Sequence, residues 1–430
     1  MNLLKKMKTL FENVRLISGE TVYVVVDGAY FSYVGCERPT GNFDNIKNCR
    51  GALMIPAFYN THCHAAMTLF RGVGDGLPLS RWLNEKIFPA EDKLTGEATY
   101  WATLLGCAEM ISSGTVSFSD MYMFEDSVAE AVIECGTKAN LARGLVSFDE
   151  MADFDSDTRF LEAKALYNKY HDAENGRIKV EFSLHAEYTN VLSYCSYVAE
   201  YCRINNIPIQ IHLSETQNEH ETCIAKYGVT PAGFFDKAGV LDTHVTAAHC
   251  VWLNDDDIEL LSSKKVCVSH NPTSNLKLGS GIMPYAKIAS SGILVALGTD
   301  GAASNNSLSI LKEMQLAALL HKGTQLDASA ANARDMLDMA TVNGAMVQKR
   351  NDCGRICEGY RADAVLIDMD ACNTIPSLDL YATLMYSADK SNVLMTMCDG
   401  RILFENGEYK SIDIERVKFN FKRCVSKIFE

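Results

Sequence analysis

From residue 53 to about residue 300 the chain alternates short, nearly unbroken apolar runs with longer stretches whose apolar positions recur at helical spacing. The runs lie at 53–62, 115–119, 141–147, 178–185, 207–213, 244–249, 265–269 and 293–299. Between them, helical spacing covers Tyr100 to Ser112, Ser127 to Lys138, Asp157 to Tyr170, Ser193 to Asn205 and Ser309 to Lys322. A run without alternation, such as Ile293-Leu294-Val295-Ala296-Leu297, suits a strand covered on both faces. Eight strands alternating with helices predict an α/β fold, a (β/α)8 TIM barrel. An open doubly wound sheet is the competing architecture, but no Gly-x-Gly-x-x-Gly follows the first strand.

The two ends read differently. Thr21-Val22-Tyr23-Val24-Val25-Val26 and Tyr30-Phe31-Ser32-Tyr33-Val34 flank Asp27-Gly28, a hairpin signal. Strand-like runs return at 362–368, 393–397 and 402–404, with a turn at Cys398-Asp399-Gly400-Arg401. A small β-sandwich built from both ends is expected, residues 1–55 plus 353–430, around a barrel spanning 56–352. Ile414, Val417, Phe421, Val425 and Ile428 mark a final amphipathic helix over about 412–430.

Composition narrows the class. A net charge of −14 argues against nucleic acid as a partner. No apolar run approaches the ~18 residues that cross a bilayer, and Met1 to Leu10 lacks the apolar core of a leader. The 15 cysteines follow no framework spacing, and Cys353 and Cys357 have no second pair to make a zinc knuckle. A cytoplasmic protein with reduced thiols is expected.

The chemistry sits at the ends of the predicted strands, where a barrel places its catalytic residues. His62 and His64 are two apart and share a strand face. His185 follows the fourth strand, His212 and His249 end the fifth and sixth, and Asp300 follows the eighth. Glu215 comes three residues after His212. Three histidines and an aspartate make a chemically sensible set for one hydrolytic Zn²⁺. Iron(II) suits the same ligands.

Several strings resemble the amidohydrolase superfamily, and within it the 5-methylthioadenosine/S-adenosylhomocysteine deaminases. They are Pro56 to Met67, His212-Leu213-Ser214-Glu215-Thr216, Ala247 to Val251, Ser269 to Gly279 and Gly298 to Asn306. The resemblance covers nearly the whole chain. It implies that His62, His64, His212 and Asp300 hold zinc, that Glu215 donates a proton to the purine edge, and that His249 lies near the hydrolytic water. Asp300 would take that water's proton. It further implies that Glu91 binds ribose hydroxyls, His185 contacts the nucleoside and Trp82 packs on it. Arg143 and Arg159 would face the 5′ substituent, with Ser304 in the same pocket. The implied reaction is deamination of an adenosine-type nucleoside to its inosine analogue, by a dimer or larger homo-oligomer. Guanine or pterin deamination, triazine dechlorination and a catalytically inert binding protein are the alternatives.

Read from residue type alone, Glu91 is equally a helix-start charge and Arg159 a solvated partner of Glu162. The chain also departs from the usual strings. Cys63 stands where Thr is usual, and Ser183-Leu184-His185-Ala186-Glu187-Tyr188 replaces Gly-Pro-His-Ala-Pro-Tyr. The segment between Arg143 and Arg159 is acidic, with Asp149, Glu150, Asp153, Asp155 and Asp157.

Overall fold

A computed structural model describes residues 7–429; the first six residues of the lysine-rich start, and Glu430 of the expected last helix, lie outside the described residues. The first five strands are β1 (Lys8–Leu16), β2 (Thr21–Asp27), β3 (Tyr30–Gly35), β4 (Asn45–Asn48) and β5 (Leu53–Pro56). The next eight are β6 (Phe58–Cys63), β7 (Thr115–Tyr122), β8 (Lys138–Leu145), β9 (Ile178–Leu184), β10 (Ile209–Leu213), β11 (Val245–His249), β12 (Cys267–His270) and β13 (Val295–Leu297). Four more close the chain: β14 (Ala364–Ile367), β15 (Val393–Cys398), β16 (Arg401–Glu405) and β17 (Glu408–Tyr409).

Strands β6 to β13 pair in sequence order, every pair parallel, with helices in the crossovers. This is the expected (β/α)8 barrel. No β6–β13 ladder is formed, yet the seam is stitched by polar groups. Thr61 Oγ1 donates to Leu297 O at 2.9 Å, and Asn60 bonds Thr299 through both ends of its amide, at 2.7 and 3.0 Å. The backbone N–H groups of Thr299 and Asp300 both donate to His62 O, at 3.1 and 3.0 Å. Closure of the barrel therefore fixes His62 and Asp300 side by side.

The apolar run at 53–62 is two strands. Pro56 cannot donate to a ladder, and there the chain leaves one sheet for the other: β5 pairs with β1 and β14, and β6 with β7. The second sheet is mixed and nine-stranded, drawn from both chain ends. Phe11, Val24 and Phe31 from its first half cluster with Ala364, Leu366 and Met397 from its second, so the sheet folds over a core of its own. The final helix, Ile414–Phe429, instead lays Val417, Cys424 and Ile428 into the barrel's apolar core.

Lys138, expected at a helix end, is the first residue of β8 and fully buried. Its ammonium lies 2.6 and 2.7 Å from the two Asp363 oxygens and 2.6 Å from Asp399 Oδ1. Tyr59 also donates to Asp363, at 2.5 Å. This cluster ties the lower end of the barrel to the second sheet. Among the described residues no helix is long and apolar enough to cross a membrane.

Candidate metal centre and active site

The C-terminal ends of the barrel strands and the segments that follow them bring every candidate site residue to line one cavity of about 410 Å³, except His62, which is buried with its ring 4.9 Å from that of His64. Three of these strand ends leave ordinary backbone geometry: Ser214, His249 and Asp300 have φ of +48°, +74° and +61°. Non-glycine residues rarely adopt this region, and it is found where surroundings impose a conformation that function uses.

The ligating atoms of His62, His64 and Asp300 lie within 4.8 Å of one another, as do those of His62, His212 and His249. Asp300 Oδ1 is 3.1 Å from His64 Nε2 and 3.6 Å from His62 Nε2, and His64 Nε2 is 3.4 Å from His212 Nε2. Outer contacts set the tautomers. His64 Nδ1 donates to Met121 O at 2.6 Å and His212 Nδ1 to His185 O at 2.7 Å. Both leave Nε2 aimed at the shared point, the arrangement that orients metal-bound histidines. Burial holds His62 down at about 4 and His212 well below the usual range, so both present neutral nitrogens. Burial would raise Asp300, but its contacts to His62 and His64 outweigh that and hold it far down as a carboxylate. His62 Nε2 is buried with no hydrogen-bond partner. Burial would lower His64, but the Asp300 carboxylate outweighs it and raises the imidazole to about 9. An orphaned His62 nitrogen among converging imidazole nitrogens and a carboxylate is the donor set of a divalent metal, and the residues fit one.

Beside the cluster, His249 Nε2 stands 3.8 Å from Glu215 Oε2. Asn275 accepts from His249 Nδ1 at 2.8 Å and turns Nε2 to the cavity. Glu215 accepts from Ser280 Oγ at 3.3 Å, and burial pushes its carboxyl above the ordinary range. Ser274 and Ser304 both donate to Asp300 Oδ2, at 2.6 and 2.8 Å.

Farther out, Glu91 accepts from Tyr122 Oη at 2.5 Å and is raised by burial. Trp82 is anchored by Nε1 to Val73 O at 2.8 Å, and His185 Nδ1 meets Thr189 Oγ1 at 3.1 Å. Arg143 gives Nε to Glu162 at 2.7 Å, so Glu162 is the partner of Arg143 here. Arg159 is exposed at the rim, with Phe148 of the acidic segment near it in the lining. The sequence reading singled out no role for Tyr122, Ser274 or Asn275. Ser274 and Asn275 stand within the Ser269 to Gly279 stretch that carries the family resemblance, the one signal that could have found them.

Comparisons with known proteins agree with this arrangement. The amidohydrolase family profile matches residues 53–403. The chain is 44% identical over 382 residues to the 5-methylthioadenosine/S-adenosylhomocysteine deaminase of Dictyoglomus thermophilum, covering 88% of each chain. It is 41% identical over 373 residues to the 5′-deoxyadenosine deaminase of Methanothermobacter thermautotrophicus, covering 87% of each. An adenosine deaminase from Xanthomonas campestris, solved with bound zinc, superposes with a TM-score of 0.91 at 29% identity over 98% of each chain. With a metal-binding constellation at the mouth of a (β/α)8 barrel and relatives of this closeness, the chain belongs to the amidohydrolase family and is a metal-dependent hydrolase.

Proposed function

We propose that this enzyme deaminates adenosine-type nucleosides to their inosine analogues, releasing ammonia. S-adenosylhomocysteine, 5-methylthioadenosine, 5′-deoxyadenosine and adenosine are the candidate substrates. The observation that carries the reading is a buried carboxyl, Glu215, raised by that burial and facing His249 on the rim of the metal cluster, in a chain more than 40% identical to named deaminases of such nucleosides.

His62, His64, His212 and Asp300 are the proposed metal ligands, and zinc the proposed ion, by analogy with the zinc-bound relative; metal analysis separates it from iron(II). A divalent ion in this setting activates water as a Lewis acid, lowering its pKa toward ~7. His249, held through Nδ1 by Asn275, presents Nε2 to orient the attacking water. Asp300, held through Oδ2 by two serine hydroxyls and through Oδ1 by the Gly301 N–H, is fixed at the cluster as the acceptor of that water's proton. Addition at purine C6 places electrons on N1, and Glu215 delivers the proton there; such transfers contribute ~10²–10⁴-fold. Glu91, fixed by Tyr122, takes the ribose hydroxyls as a two-oxygen acceptor. Trp82 and His185 flank the nucleoside, and Arg143, Arg159 and Ser304 border its 5′ side.

Ammonia release from these four nucleosides and from guanine, measured side by side, tests the proposal. Turnover of adenosine derivatives with inert guanine is expected. Guanine turnover without any adenosine activity would overturn it.

We assign the chain a cytoplasmic location, consistent with 15 cysteines that are all unpaired. We also assign it a homo-oligomeric state and a division into residues 1–55 plus 353–430 and residues 56–352. Its proposed partner is the small nucleoside alone, without nucleic acid.

A further inference from the structure

Glu187 lies in the single helical turn Glu187–Thr189 after β9, and nothing in the proposed reaction uses it. Its side chain is 2% exposed, and its Oε2 is buried without a hydrogen-bond donor. Glu219, 6% exposed on the helix Gln217–Tyr227, shows the same feature in half of its carboxyl. One oxygen, Oε2, accepts the backbone N–H of Glu215 at 2.9 Å and of Thr216 at 3.2 Å, closing a capping box with Thr216. The other, Oε1, is buried and unpartnered. A capping box explains the first oxygen and leaves the second bare. The two carboxyls lie within hydrogen-bonding range of each other, and burial raises both. The titratable groups bearing on the pair are Glu215, Tyr188, Cys195, Cys223 and Cys250. Besides burial, the charge of Glu219 raises Glu187 and that of Glu215 raises Glu219.

We infer that Glu187 and Glu219 share one proton and that this carboxyl–carboxylate pair clamps the backbone of the proton donor Glu215. Two buried carboxylates in contact repel, so one proton between them is the stable state. That proton satisfies both orphaned oxygens at once and leaves Glu219 Oε2 as a strong acceptor for the Glu215 N–H. Glu187 and Glu219 are positioning residues, which act on the purine only through Glu215. The clamp rests on the deaminase reading; the shared proton does not.

The test uses the whole enzyme with Glu187→Gln and Glu187→Leu. Infrared difference spectra at pH 7, wild type minus Glu187→Gln, should show a protonated-carboxyl C=O band, because the amide replaces the shared proton and leaves Glu219 ionised. Absence of that band overturns the shared proton. In activity, Glu187→Gln should stay close to wild type, since its N–H can donate to Glu219. Glu187→Leu should lose kcat on the order of 10- to 100-fold at little-changed KM, the effect of a reacting group moved by a fraction of an ångström. Raising pH strips the shared proton in wild type, drives the carboxylates apart and lowers kcat; Glu187→Gln should lack this alkaline limb. Equal kcat and identical pH profiles in all three proteins overturn the clamp. If Glu187→Leu does not fold, the infrared band and the alkaline limb of Glu187→Gln still decide. Should no nucleoside be turned over, the deaminase reading fails and the infrared band alone judges the pair.

Discussion

Lys138 and His62 are both buried polar side chains on strands of the same barrel, at opposite ends of it. At the lower end the Lys138 ammonium meets three carboxylate oxygens at 2.6–2.7 Å, and Asp363 is further bonded by Tyr59 and by the Asp399 N–H at 2.8 Å. At the upper end neither His62 Nε2 nor the buried Asp120 Oδ2 has a hydrogen-bond partner. A buried polar group is stable when paired, and leaving one unpaired costs about 1–3 kcal/mol. The lower cluster is therefore chemically closed and holds two sheets together. The upper one keeps unspent hydrogen-bonding capacity for a metal and a substrate. The division matches the general rule that barrel enzymes put stability at the N-terminal face and chemistry at the C-terminal face.

Substitutions at the two ends should separate cleanly. Glu215→Gln removes a proton donor and adds no volume. Its kcat should fall ~10²–10⁴-fold, while the melting temperature stays level or rises, because a buried carboxyl has been replaced by a neutral amide. A fall in stability matching the fall in rate would erase the contrast. Asp363→Ala should do the reverse. It leaves the buried Lys138 ammonium with Asp399 alone and takes the acceptor from Tyr59. Removing one partner of a buried pair typically costs about 3–5 kcal/mol, and denaturant unfolding should show a loss of up to that size while the folded fraction keeps its kcat. A well-packed Lys138→Met/Asp363→Leu pair should recover most of the stability, since apolar replacement of both partners is often neutral or stabilising.

Much of the upper end was legible in the sequence because each catalytic side chain closes an apolar run, so finding the strand locates the residue. Asp300, His249 and His212 were placed in this way. The lower end was not, for a physical reason. Lys138 reads as the polar end of the preceding amphipathic helix, and only Asp363 and Asp399, 225 and 261 residues away in sequence, make its burial sensible. Local pattern does not report such partners. The run 53–62 was equally misleading: from Leu53 to Tyr59 it is unbroken apolar sequence because both sheets bury it, so periodicity could not show where one strand ends and the next begins. His270 shows the limit from the other side. It ends β12 as His249 ends β11, yet its Nε2 lies 3.0 Å from His321 Nε2, away from the site residues the sequence picked out.

Smaller effects sharpen the boundary between the two ends. Asn275→Ala leaves the His249 ring in place but removes the acceptor that fixes its Nδ1–H. Partners of this outer kind are typically worth 10–100-fold in activity or metal affinity. Here the loss should appear in kcat with metal content unchanged, because His249 is assigned to the water and the metal ligands are other residues. Reduced zinc in the purified variant would move His249 into the ligand set.

The smallest expected effect is on acid stability, and it belongs to the lower end alone. Burial would raise Asp363, but the Lys138 ammonium outweighs it and holds the carboxyl below the usual range. A carboxylate depressed on folding contributes stability that is fully present above its unfolded pKa of ~3.9 and is lost as pH falls through the folded value. Wild-type stability should therefore be level in this contribution at neutral pH and decline below about pH 4. The Lys138→Met/Asp363→Leu protein lacks that titration and should show a shallower decline over the same interval in denaturant midpoints. Glu215→Gln should not flatten the slope there, since Glu215 is raised by burial and takes up its proton above that interval. Equal slopes in wild type and the double variant would mean that the buried pair is not what couples the lower cluster to pH.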